Sequence, residues 1–180
     1  LSCLEGYCPA LVTVEGATLR RAHGLPPPKD LVLPEPALPA LAQPYSLLVA
    51  GVGGTGVVTI GALLGMAAHL EGKGVTVLDQ TGLAQKGGAV LTHVRIAARQ
   101  EDLQAPRIVV ADLVLACDML VAAGADATAR MDRARTQAVV NTADVITGDF
   151  LRQPQQLFPH DATLSFLGAR VRQAQVLDDQ

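Results

Sequence analysis

The chain has 180 residues, 49% of them hydrophobic and 17% charged, with a net charge of −3. That balance supports a sizeable core and excludes disorder of the whole chain. It leaves nucleic-acid binding without the basic run such binding needs, and no apolar stretch is long enough to span a bilayer.

Aromatic residues make up 3% and Trp is absent, so the core must be built from Val, Leu, Ala and Ile. Such a core suits a parallel sheet under Ala-rich helices. The three Cys, an odd number, argue against a disulfide framework. They fit a reducing compartment, and a cytoplasmic location is expected.

Residues 1–24 carry Cys3 and Cys8, the apolar run Ala10-Leu11-Val12-Thr13-Val14 and the basic pair Arg20-Arg21. No charged region precedes an apolar one as in a secretory signal. The opening at Leu1, without an initiator Met, is expected of a piece of a longer polypeptide. Residues 25–44 hold Pro26-Pro27-Pro28, Pro34, Pro36, Pro39 and Pro44. Prolines remove N–H donors and fix φ, so this segment reads as an extended linker.

Residues 45–180 form the globular body. Ser46–Ala50 predicts a strand. Thr55 to about Glu71 predicts a helix, stopped by Gly72 and Gly74. Gly61 and Gly65 share one face of it, where small side chains allow close packing on a sheet. Further strands are predicted at Val75–Leu78, Ala89–Ala97, Leu113–Cys117 and Ala138–Asn141. Met119 to about Arg133 has a helical pattern that Gly124 weakens. In the tail, Phe158-Pro159 breaks the chain, and Ala169–Val176 fits either a helix or a strand. Strands alternating with helices predict an α/β, Rossmann-like three-layer fold with a mostly parallel sheet. Ligands gather at the carboxyl ends of such strands.

Three features fall at those ends: a glycine turn after the first strand, Asp79-Gln80 after the second, and Asp118 after Cys117. Gly51, Gly53 and Gly56 match G-x-G-x-x-G between a strand and a helix, with Gly54 opening the turn further. The motif in this context points backbone N–H groups at a phosphate. The plainer alternative is that the glycines only allow tight strand-to-helix packing. Asp79 lies near where a dinucleotide fold places its ribose acid, so an NAD- or FAD-binding domain is a rival reading. A second loop, Gln80 to Gly88, carries Gln85, Lys86, Gly87 and Gly88. Lys86 supplies a point charge for phosphate and the glycines permit close backbone approach. An ordinary loop with a solvated lysine is the alternative.

Cys3 and Cys8 have C-x4-C spacing followed by Pro9, an ending found in iron–sulfur cluster runs. Two ligands are not four, and two ordinary thiols fit as well. Cys117, His69 and His93 read as structural. No nucleophile elbow, H-E-x-x-H, P-loop lysine or Gly-Asp-Gly thiamine motif is present, so no catalytic residue is assigned.

Five strings together resemble the gamma domain of 2-oxoacid:ferredoxin oxidoreductases, most of all the fused indolepyruvate type. They are Cys3 to Gly16, Gly51 to Thr59, Asp79 to Gly88, Ala111 to Met119, and Val139 to Thr142 with Thr147 to Phe150. The resemblance implies decarboxylation of a 2-oxoacid on thiamine diphosphate. Electrons pass through 4Fe–4S clusters to ferredoxin, and coenzyme A captures the acyl group. It places the thiamine site in other domains, against which the gamma domain packs. It assigns Gly51, Gly53, Gly54, Thr55 and Gly56 to the family's glycine turn, and Gln85, Lys86, Gly87 and Gly88 to its second loop. Cys3 and Cys8 match the last two cysteines of a cluster motif that would begin upstream. It further implies a domain truncated at its carboxyl end, inactive alone and prone to self-association. A docking scaffold without catalysis is the remaining alternative.

Overall fold

The computed structural model describes residues 40–82, 88–143 and 158–177. Within the compact unit that begins at Pro39, a six-stranded sheet has the order β2-β3-β1-β4-β5-β6. Its elements are β1 (Tyr45–Val52), α1 (Val57–Leu70), β2 (Gly74–Thr81), β3 (Ala89–Ala97), β4 (Leu113–Ala116) and α2 (Met119–Ala122). Then come α3 (Ala125–Thr128), β5 (Gln137–Asn141), α4 (His160–Gly168) and β6 (Gln173–Leu177). The expected cysteine-bearing segment, and the proline-rich linker as far as Pro39, lie outside the described residues.

The sheet is mostly parallel, as expected: β1, β4, β5 and β6 pair in parallel and only β3 runs against its neighbours. The strand order differs from a simple alternating reading. β3 pairs antiparallel with both β1 and β2, so the second predicted strand lies at the sheet edge instead of beside the first. The reason is connection length. Parallel neighbours need a crossover of about a dozen residues or more, and the short link from Thr81 to Ala89 allows only a hairpin.

β1 is buried on both faces, and its alternating side chains divide the core. Leu47 and Val49 pack with Val57, Val90 and Val94 under α1. Leu48 and Ala50 pack on the opposite face with Met119, Ala122 and Leu167 from α2 and α4. Helices on both faces make the three-layer architecture. The α1 connection moves from β1 towards one edge, whereas the later helical connections move towards the other. Right-handed crossovers running in opposite directions place their helices on opposite faces.

Close approach of α1 to the sheet depends on Gly61. A Cβ there would lie 2.3 Å from Thr92 Cγ2. At the other end of β1, Asp112 holds three strands together. Its Oδ2 accepts the Ser46 N–H at 2.8 Å, and its backbone carbonyl accepts the Gln137 N–H at 2.8 Å. The Arg135 guanidinium forks onto the same carboxylate, with Nη2 at 3.0 Å from Oδ2.

The predicted helix over residues 119–133 is interrupted. Gly124 is extended (φ −63°, ψ 155°) and caps α3, leaving two single turns. The ambiguous tail contains strand β6, preceded by α4, which starts directly after Pro159.

Candidate functional site at the β1–β4 switch point

The chain adds β2 and β3 on one side of β1 and then β4, β5 and β6 on the other, so the strand order reverses between β1 and β4, which are parallel neighbours. Their carboxyl ends therefore flank the crevice where open α/β sheets bind ligands. Gly51 allows that edge to close tightly, because a Cβ there would be 3.2 Å from Cys117 Cβ and 2.7 Å from Val57 Cγ2. The chain then turns sharply. Val52 O accepts the Thr55 N–H at 3.2 Å and the Thr55 hydroxyl at 2.6 Å. Gly54 and Gly56 both have φ of 92°, the left-handed region that glycine adopts without strain.

Gly56 is the N-cap of α1, and no side chain caps the helix. The first intrahelical bond runs from Ile60 N–H to Gly56 O at 3.0 Å. The amides of Val57, Val58 and Thr59 therefore precede the bonded ladder, as the first N–H groups of any helix do. No acidic residue occupies the first turn, so nothing there offsets the positive end of the helix dipole. An anion is the chemical complement of this arrangement.

The opposite rim comes from β4 and β5. Ala50 O accepts both the Cys117 N–H at 2.8 Å and the Asp118 N–H at 3.3 Å. Asp118 caps α2, its Oδ1 accepting the Val121 N–H at 2.8 Å, while Oδ2 is buried with no partner. Burial pushes the Asp118 carboxyl above its ordinary range. Burial, and then the neighbouring Asp118, push the Cys117 thiol up as well. Asn141 reaches across from β5, its Nδ2 donating to Cys117 O at 3.3 Å. The sequence placed Asn141 only at the end of a strand, and that position was the one signal available.

The two loops singled out in the sequence meet here. Gly53 donates its N–H to Gly88 O at 2.7 Å. Gly51, Gly53, Gly54, Thr55 and Gly56 thus form one turn, with Gly88 bonded to it. Gln85, Lys86 and Gly87 lie outside the described residues, as do Cys3 and Cys8. Beside Gly88 opens a cavity of about 350 Å³, lined by Gln80, Thr81, Leu91, Val121 and Asp126 among others. Its α2–α3 wall was not legible in sequence, because the pattern there reads as one continuous helix.

Asp79 stands apart from this centre. Its Oδ1 accepts the Thr92 hydroxyl at 2.6 Å, on edge strand β2 with β3 between it and the glycine turn. A dinucleotide fold takes its ribose acid from the strand next to β1. His93 is fully buried in β3, its Nδ1 accepting the Ile108 N–H at 3.3 Å. Among the described residues, no three His, Cys, Asp or Glu side chains gather as metal ligands.

A family model for pyruvate ferredoxin/flavodoxin oxidoreductase matches residues 46–176. Two curated relatives are named indolepyruvate oxidoreductase subunit IorB. The one from Methanothermobacter thermautotrophicus is 31% identical over 126 residues, 70% of this chain and 62% of that protein. The one from Archaeoglobus fulgidus is 35% identical over 103 residues, 56% of this chain and 48% of that protein. The matched region thus spans about half to three-fifths of the curated relatives' length.

Two solved structures are similar at low identity. Pyruvate oxidoreductase subunit PORC of Thermotoga maritima has a TM-score of 0.46 at 20% identity, covering 62% of this chain and 56% of that one. The gamma subunit of a keto/oxoacid ferredoxin oxidoreductase from Geobacter sulfurreducens has a TM-score of 0.42 at 18% identity, covering 74% and 60%. The family match covers well over half of the chain and agrees with the motif strings, so the chain belongs to the pyruvate ferredoxin/flavodoxin oxidoreductase family.

Proposed function

We propose that the chain is the gamma domain of an indolepyruvate-type 2-oxoacid:ferredoxin oxidoreductase, and that its switch-point turn holds phosphate groups of coenzyme A. The observation that carries the site is the uncapped start of α1, with Gly54 and Gly56 at φ 92° and no acidic side chain in the first turn. Family membership supplies the reaction class. Lys86 is the proposed cation, and Gln85 and Gly87 belong to the same string of sequence as Gly88, which is bonded to Gly53.

In the whole enzyme, thiamine diphosphate supplies decarboxylation of the 2-oxoacid, and 4Fe–4S clusters carry electrons to ferredoxin. Cys3 and Cys8 are the proposed cluster ligands, in a cytoplasmic enzyme. The other domains or subunits of the oxidoreductase are the partners. This chain contributes positioning of coenzyme A and no catalytic residue, so it is inactive alone.

The test is thermal shift of the purified chain against coenzyme A, NAD, NADP and FAD. A ligand at about 100 times its dissociation constant stabilises by roughly 2.7 kcal/mol. Stabilisation by coenzyme A alone is expected. Stabilisation by a dinucleotide instead would revive the dehydrogenase reading, which the distance of edge-strand Asp79 from the turn disfavours. Silence from all four ligands, with a loss of assembly in loop variants, would make the chain a docking scaffold.

A further inference from the structure

Among the described residues, the buried side-chain polar atoms without a hydrogen-bond partner are Asp118 Oδ2 and four others: Thr76 Oγ1, His93 Nε2, Arg95 Nε and Arg130 Nε. Those four share one neighbourhood. Thr76 and Arg95 are direct cross-strand partners of β2 and β3, and His93 lies two residues before Arg95, so the three side chains share a face of the sheet. It is the face away from α1, because Thr92, between His93 and its neighbours, lies under Gly61. Arg130 follows α3, which packs on that same face through Ala127. The charges of Arg130 and Arg107 both act on His93. No carboxylate among the described residues pairs with Arg95, Arg107 or Arg130. The ion pairs there join Arg99 to Glu101 and Asp102, and Arg135 to Asp112. Arg95 and Arg130 donate instead to the backbone carbonyls of Ala105 and Asp126.

The four orphaned atoms can all donate. His93 Nδ1 accepts the Ile108 N–H at 3.3 Å, so that nitrogen carries no hydrogen and Nε2 carries it. Arginine Nε is a donor only, and a threonine hydroxyl donates as readily as it accepts. Buried donors with no acceptor leave their desolvation uncompensated. Guanidiniums match oxyanions through paired N–H groups, and three of them around one imidazole N–H call for several acceptor atoms on one negative group. A tetrahedral oxyanion presents oxygens in four directions, whereas both oxygens of a carboxylate lie in one plane. We infer that Thr76, His93, Arg95, Arg107 and Arg130 form a site for a phosphate-class oxyanion, separate from the switch-point turn.

The arginines are scattered along the chain, so the sequence shows no basic run, and the cluster exists only once β3 and the end of α3 share a face. Arg107 is exposed and Arg95 and Arg130 are half-buried, so an anion reaches His93 past the guanidiniums. The cavity beside Gly88 adjoins the site: Leu91 and Ala127 line it, two residues before His93 and three before Arg130. A free oxyanion and a phosphate carried by a larger ligand in that cavity present the same oxygens, and experiment separates the two sources.

The test is NMR of the full chain with isotope-labelled histidine, His93→Gln identifying the His93 signals. Couplings within the ring are expected to show the Nε2–H tautomer. Inorganic phosphate raised from about 0.1 to about 30 mM, a range suited to a millimolar constant, is expected to shift the His93 signals saturably. Sodium chloride at equal ionic strength is expected to leave them in place. Arg107→Gln, at an exposed position, is expected to weaken the response about tenfold. Arg99→Gln, which removes the same charge from outside the cluster, is expected to respond as the wild type does. So is Gly56→Ala, which alters only the switch-point turn, so failure at one site does not decide the other. Coenzyme A is titrated in parallel. A tighter response to it assigns the oxyanion to a ligand's phosphate, a tighter response to inorganic phosphate assigns it to the free ion, and either upholds the site. His93 signals that answer neither, that move equally with chloride, that survive Arg107→Gln unchanged or that show the Nδ1–H tautomer overturn it.

Discussion

Gly53 and Gly88 are joined by a 2.7 Å hydrogen bond from the first residue's N–H to the second's carbonyl. The residues are 35 positions apart, and each belongs to a separate glycine-bearing string. The bond makes the glycine turn and the end of the second loop a single unit. A Cβ on residue 53 would sit 3.3 Å from that carbonyl oxygen, close enough to push the two apart.

Gly56→Ala is therefore informative about the turn. Residue 56 has φ of 92°, and an L side chain there is strained by about 1–2 kcal/mol. Urea unfolding should show a loss of that order, and the thermal shift with coenzyme A should disappear. Undiminished stabilisation by coenzyme A in a folded Gly56→Ala chain would move the phosphate site elsewhere.

In the intact oxidoreductase, Lys86→Ala should raise KM for coenzyme A about tenfold, the loss of one screened charge contact of roughly 1.4 kcal/mol. The rate constant at saturation should change little, because the proposed role is uniform binding. Steady-state kinetics against coenzyme A concentration decides it. An unchanged KM removes Lys86 from the site.

Gly61→Ala should destabilise the fold by about 1–3 kcal/mol, even though Ala favours helix by about 1 kcal/mol. The new methyl would meet Thr92, whose rotamer is fixed by its hydrogen bond to Asp79. Equilibrium denaturation should show a lower midpoint. Thr92→Ser with Gly61→Ala should recover part of the loss, since it removes the opposing methyl and keeps the hydroxyl.

His93 makes stability fall in mild acid. Burial, then the charges of Arg130 and Arg107, push its pKa down to about 4, whereas an unfolded histidine titrates near 6.5. Above about pH 6.5 both states hold it neutral, and its contribution is constant. Between about pH 6.5 and 4 only the unfolded chain takes up the proton, so stability falls by up to about 3 kcal/mol. Urea unfolding of wild type and His93→Gln across that window should show a smaller acid loss in the variant. Parallel curves would assign the loss to other groups.

The strands and the first helix were legible because their periods are strong. Ala89–Ala97 was bounded from sequence as the structure has it, and α1 ends within one residue of Glu71. Strand order was less legible, although the short Thr81–Ala89 link carried the hairpin signal. Gly124 weakened the helical pattern in the sequence, but one glycine does not say whether a helix continues through it or breaks into two turns, and α4 is short, at 9 residues. In the site, the glycine turn stood out because its spacing is a backbone requirement. The Asn141 contact depends on which strands become neighbours, information held in tertiary packing and not in any local run.

The central position of β1 has a consequence for synthesis. Its two hydrogen-bonding partners, β3 and β4, begin at Ala89 and Leu113, well downstream of Tyr45. A chain leaving the ribosome therefore carries this buried strand with both edges open until Ala97 has emerged, and with one edge open until Ala116 has. Local pairing cannot shield it, because β2 never touches it. Non-local sheets of this kind close slowly and expose apolar strands meanwhile. The interval between translation of β1 and of β4 is thus the window in which a nascent-chain chaperone has a strand to hold.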